Sequence, residues 1–147
     1  MTRQMQPARR QPIGFWTARV GSAIRTRTRS RLAEVGVSQP EWWLLHQLSL
    51  HDGGIGVDEV ITIIGPNDTD QAIRHAIVDA RSKGWIHDDD GRLALTESGA
   101  ERFRHAAEVQ RELEIERRQG ISDSDYETTI RVLQRTARNV GSDAWHW

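Results

Sequence analysis

Residues 68–96 read DTDQAIRHAIVDARSKGWIHDDDGRLALT, and the fold turns on how this stretch divides. Ile73, Ala76, Ile77 and Ala80 recur three and four apart, the spacing of one buried helical face, and Gly84 stops the pattern. Asp68 with Gln71 three residues on is a helix-start signal, which predicts a helix over residues 68–83. Two short runs with strand character follow, Trp85-Ile86-His87 and Leu93-Ala94-Leu95-Thr96. The Gly-containing segment Asp88-Asp89-Asp90-Gly91-Arg92 between them predicts a hairpin.

Working outward, Gly65-Pro66 breaks a short apolar segment, Val57–Ile64, whose β-branched residues leave strand and helix both open on propensity alone. Before it, Ser38-Gln39-Pro40-Glu41 reads as a capping box that starts a helix with Trp42, Leu45 and Leu48 on one face. That helix is expected to stop at Asp52-Gly53-Gly54. Ile13, Trp16, Val20, Ile24, Leu32 and Val35 predict a long first helix ended by Gly36, and residues 1–12 predict an arm without regular structure. On the other side, Thr96 can cap a helix running through Phe103, Ala107 and Leu113 to Arg118. Ser122 can cap a last one, in which Tyr126, Ile130, Leu133, Ala137 and Val140 are spaced 4-3-4-3. Such a narrow stripe favours packing against another helix. The order predicts a mainly α chain with a small β-hairpin wing: a winged helix-turn-helix flanked by N- and C-terminal helices.

With 147 residues the chain is long enough for a core without staples, and it contains no cysteine, which excludes disulfides, thiolate metal sites and a cysteine nucleophile. No apolar run approaches a membrane span and no signal-peptide core is evident, so a soluble, cytoplasmic protein is expected. The net charge of −1 conceals a split. Residues 1–40 hold eight Arg against Glu34, whereas residues 41–147 hold twelve basic and twenty acidic side chains. The arginines of residues 25–31 are open to two readings, phosphate contacts or ion pairs with the protein's own acids.

Three segments carry a resemblance: Val37-Ser38-Gln39-Pro40-Glu41-Trp42-Trp43-Leu44-Leu45, Arg81-Ser82-Lys83-Gly84-Trp85-Ile86 and Leu95-Thr96-Glu97-Ser98-Gly99. Through them the chain resembles the MarR (multiple-antibiotic-resistance) family of transcriptional regulators over nearly its whole length. The resemblance implies a homodimer in which residues 13–36 and 97–147 supply dimerisation helices. Residues 37–96 would form the winged lobe, and 1–12 a flexible arm. It also implies a ligand-responsive regulator, a repressor, bound to a pseudo-palindromic operator in double-stranded DNA. The second helix of the motif would enter the major groove. On it Gln71, Arg74 and His75 lie where family members read bases, and Arg92 is the candidate for the wing's minor-groove contact. A small aromatic or phenolic effector is implied between the helical base and the winged lobe. Trp16, Arg19, Trp43, His46, Phe103 and Arg104 are the candidates to line that pocket, while Trp42 matches the family's core Trp.

The charge of the winged region points the other way. Residues 41–99 carry four basic side chains against eleven acidic ones, and the hairpin turn is short and holds three consecutive Asp. Phosphate neutralisation dominates DNA affinity, so the alternative expectation is a relative that has lost DNA and binds, sequesters or transforms a small molecule. No catalytic signature is present, so an enzyme is not expected, and neither is a cofactor. Glu41, His46, His105 and Glu108 could provide zinc ligands, but without a His-x-x-x-His pair no metal is expected. The Asp143-Ala144-Trp145-His146-Trp147 tail is expected to dock on its own or a partner subunit.

Overall fold

The capping box over Ser38–Glu41 forms as the sequence demands. In the computed structural model, which describes residues 4–142, the Glu41 amide donates to Ser38 Oγ at 3.2 Å and the Ser38 amide donates to Glu41 Oε1 at 2.9 Å. It starts α2 (Gln39–Ser49), which follows the long α1 (Ile13–Glu34). Next come a two-residue strand β1 (Ile55–Gly56), α3 (Val57–Ile64) and α4 (Asp70–Ser82). The hairpin strands β2 (Ile86–Asp89) and β3 (Arg92–Leu95) lead into α5 (Glu97–Arg118) and α6 (Asp123–Asn139). The terminal Trp145-His146-Trp147 tail lies outside the described residues.

Val57–Ile64 is a helix. Its Val60, Ile61 and Ile64 are buried, so the three- and four-residue spacing decides the question that β-branching left open. The start of α4 is corrected: the helix begins at Asp70 rather than at residue 68, and Thr69, not Asp68, is the cap, its hydroxyl accepting from the Ala72 amide at 3.1 Å. Residues 1–12 are not wholly irregular, since Ala8–Arg10 forms a 3-10 turn.

The three strands are antiparallel in the order β1-β3-β2, with Ile55 opposite Leu93 and Asp88 opposite Leu93 on the other side. The hairpin turn is only two residues, Asp90 and Gly91, with φ of 54° and 82°. Both central residues at positive φ are what the tightest right-twisting hairpin turn requires, and an Asp-Gly pair supplies them. Leu44, Leu45, Ile55, Val60, Ile73 and Leu93 are among the buried side chains of this core. Among the described residues, those up to Gln110 form one compact unit and those from Arg111 a second, the division falling within α5.

The junction of hairpin and α5 is built by Thr96. Its amide donates to the Trp85 carbonyl at 3.0 Å, its hydroxyl donates to the Gly84 carbonyl at 2.6 Å, and the Gly99 amide donates to that hydroxyl at 3.0 Å. One side chain therefore caps α5 and ties it to the end of α4.

Candidate nucleic-acid interface and ligand site

α4 buries Ile73, Ala76, Ile77 and Ala80 and turns Gln71, Arg74 and His75 to solvent. The burial follows from the 3.6-residue period, which puts the two sets on opposite sides of the axis. The other cations of residues 41–99 are spoken for. Arg81 pairs with Asp88 of the hairpin. Lys83, the chain's one lysine, donates to Glu41 Oε2 at 2.6 Å and lies 4.5 Å from the centre of the Trp85 ring. Arg92 donates to the carbonyls of Gly53 and Gly54 at 2.9 and 3.0 Å. Among the described residues of this lobe, Arg74 is the one cation without a protein partner.

Arg92 therefore sits at the base of the wing and latches the loop before β1. The wing tip itself presents Asp89, Asp90 and Gly91, while the Asp88 carboxylate is engaged, accepting from the Gly91 amide at 2.8 Å as well as from Arg81. A groove of about 440 Å³ beside this latch is lined by Gly53, Gly54, His87, Asp88, Asp89 and Arg92 among others.

The sequence-predicted pocket residues fall into separate groups. Trp42 and Phe103 stack nearly parallel with ring centres 5.6 Å apart, and His46 leans on both, at 5.3 and 6.2 Å. Desolvation in this setting pushes the His46 imidazole below its ordinary pKa, so the neutral ring is favoured. Trp16 and Arg19 belong to a second group. The Trp16 indole donates to Gln11 Oε1 at 2.6 Å and packs edge-on to Phe15, and the Arg19 guanidinium lies 4.2 Å from the Phe15 ring centre. With Met5, Gln6 and Pro12 these side chains line an open groove of about 500 Å³. Trp43 is half-buried on α2 and Arg104 is exposed on α5.

Trp42 lies at the centre of the first group, although it is not among the expected pocket residues. The family resemblance implies a core Trp there, yet it is half-buried and is the ring on which two of the pocket candidates pack. The signal was present: Trp42, His46 and Phe103 make an i, i+4 pair on α2 facing one aromatic of α5. Among the described residues no three His, Asp or Glu side chains converge as a metal ion would need.

No sequence-family model matches the chain, and no curated protein does. Solved structures do match its fold. A MarR family transcriptional regulator from Silicibacter pomeroyi superposes with a TM-score of 0.75 at 16% identity, covering 92% of this chain and 99% of that one. A Mycobacterium tuberculosis MarR family protein in complex with DNA gives 0.67 at 22% identity, over 90% and 99% of the two chains. CouR from Rhodococcus jostii bound to p-coumaroyl-CoA gives 0.72 at 19% identity, over 90% and 96%. The mostly helical chain with its small three-stranded sheet has the winged-helix fold of these regulators.

Proposed function

We propose that this chain is a ligand-responsive, DNA-binding transcription regulator, a repressor that acts as a homodimer on a pseudo-palindromic operator. The observation that carries this reading is the solvent face of α4, where Arg74 stands unpaired between Gln71 and His75 on a helix anchored by its opposite face. Arg can bind guanine and Gln adenine through paired hydrogen bonds in the major groove, and His75 can donate to a base edge or a phosphate. The fold's likeness to a protein crystallised with DNA supports the same assignment. Arg92, held by two backbone carbonyls, is left out of the reading set.

The winged region, residues 37–96, is assigned to DNA, and helices α1, α5 and α6 to pairing. A small aromatic or phenolic effector is assigned to the neighbourhood of the Trp42–His46–Phe103 cluster, where aromatic surface and the His46 ring offer apolar contact and a polar handle. A fold neighbour bound to p-coumaroyl-CoA supports that class of ligand. Bound effector would favour one spacing of the two recognition helices over the other. No catalytic role is proposed.

The test is a gel shift of the purified protein against its own upstream DNA at low salt, without effector. A discrete shift that is lost with Arg74→Ala supports the reading, the expected cost being ~1–3 kcal/mol. A folded protein that shifts no fragment overturns it.

One observation favours a second reading. Three of the four cations of the lobe are consumed internally while Asp89 and Asp90 face solvent at the wing tip, an unfavourable surface for phosphate. Under that reading the protein keeps the fold, has lost DNA, and uses the aromatic cluster to hold a small molecule. Tight binding of an aromatic acid by a protein that fails the gel shift would select it.

A further inference from the structure

The geometry points to Val78 as a further base-reading residue, one that recognises the 5-methyl group of thymine; the assignment rests on the DNA-binding reading above. Val78 is 55% exposed in the middle of α4, on a face that is otherwise polar. At 100° per residue, positions 71, 74, 75, 78 and 82 fall within an arc of about 100°, and Val78 lies near its centre. The helix does not need this side chain for its core, because Ile73, Ala76, Ile77 and Ala80 are all buried on the opposite side. Nor does it need it for helicity, since a β-branched residue is a weaker helix former than the Ala, Lys or Glu common at exposed positions.

Position along the axis supports the assignment. Val78 lies one turn beyond Arg74 and His75 and seven residues beyond Gln71, a rise of about 10 Å, or about three base steps at 3.4 Å each. A helix that lays Gln71 and Arg74 against base edges carries Val78 into the same groove. Thymine is the base that presents an apolar group there, and a branched aliphatic side chain is complementary to it. The neighbouring side chains do not supply that contact: Asp79 is acidic, and Arg81 is turned to Asp88.

The test is selection of binding sites from a random duplex pool with the wild-type protein and with Val78→Ala, which truncates a side chain that is more exposed than buried. The wild type is expected to enrich a site with a T·A pair that Val78→Ala no longer prefers. Replacing that thymine by deoxyuridine is expected to weaken wild-type binding about three- to fivefold, the worth of one buried methyl group, and to leave Val78→Ala binding unchanged. An identical consensus for both proteins, with deoxyuridine neutral at every position, would overturn the role of Val78 while leaving the DNA-binding reading standing. Failure of the folded wild type to enrich any site overturns both.

Discussion

A Cβ built on Gly99 would stand 1.9 Å from the carbonyl oxygen of Trp85 and 2.8 Å from its carbon, and both are main-chain atoms that cannot swing aside. The Leu-Thr-Glu-Ser-Gly segment thus has a physical content: Thr96 caps α5 and ties it to the turn after α4, and Gly99 permits the close approach. Gly99→Ala is expected to cost stability at the top of the ~1–3 kcal/mol range for overpacking, read as a lower urea midpoint. A second residue-scale expectation concerns His46. Its pKa in the fold lies below the ordinary 6.5 because burial disfavours the charged ring. The unfolded chain therefore binds the proton more readily, and His46 withdraws stability as pH falls through 6.5 toward the folded value. Urea melts at pH 7.5 and 5.5 should show a smaller acid-side loss for His46→Gln than for the wild type. Equal losses would show that the ring does not titrate with folding.

Two pairs of elements set how α4 is held. Glu41, 3% exposed at the start of α2, accepts from both the Ser38 amide and Lys83, which closes the far end of α4. Lys83→Met would leave a buried carboxylate with one fewer donor. Because the lysine end reaches solvent, we expect a loss of about 1–2 kcal/mol rather than the full penalty of a sealed pair, measured by chemical denaturation. The hairpin gives a binding counterpart. Asp88 is engaged with Arg81 and the Gly91 amide, so the clean charge change is Asp89→Asn with Asp90→Asn, and Asn tolerates the positive φ at position 90. If the wing approaches phosphate, this variant binds DNA several-fold more tightly at low salt, and the gain shrinks as salt rises. Unchanged affinity would place the wing away from the duplex. These elements also show what was legible. The polar face of α4 could be read directly, because a 3.6-residue period needs no tertiary information. The latch of Arg92 could not, since its acceptors at Gly53 and Gly54 are brought to it only by β1 pairing with β3, and a two-residue strand carries no period. Trp42 and Trp43 are adjacent on one helix and offer the same chemistry. Only the placement of Phe103 on α5 selects Trp42 for the aromatic cluster.

At the scale of the whole molecule, two apolar stripes lie on the surface of the described residues. Along α1, Ile13, Trp16, Val20 and Ile24 are all exposed although they repeat at helical spacing. α6 has no buried residue at all, yet carries Tyr126, Ile130, Leu133 and Ala137 on one seam, which Val140 at its C-terminal cap continues. A lone chain rarely leaves contiguous apolar surface of this kind in water, and the proposed homodimer would cover it. The charge distribution makes that pairing matter for function. A lobe whose cations are largely paired internally gains little from phosphate, so one recognition helix alone should bind weakly. Two such helices on one rigid dimer turn the second contact into an intramolecular event, worth roughly 10²–10⁴-fold without any new interaction. Ile130→Glu places a charge in the middle of the α6 seam. We expect it to sediment as a monomer at concentrations where the wild type is a dimer. We further expect its affinity for a full pseudo-palindrome to fall about a hundredfold or more, to that of an isolated half-site. A variant that is monomeric yet keeps full-site affinity would show that each chain reads DNA alone, and a variant that stays dimeric would move the subunit contact away from α6.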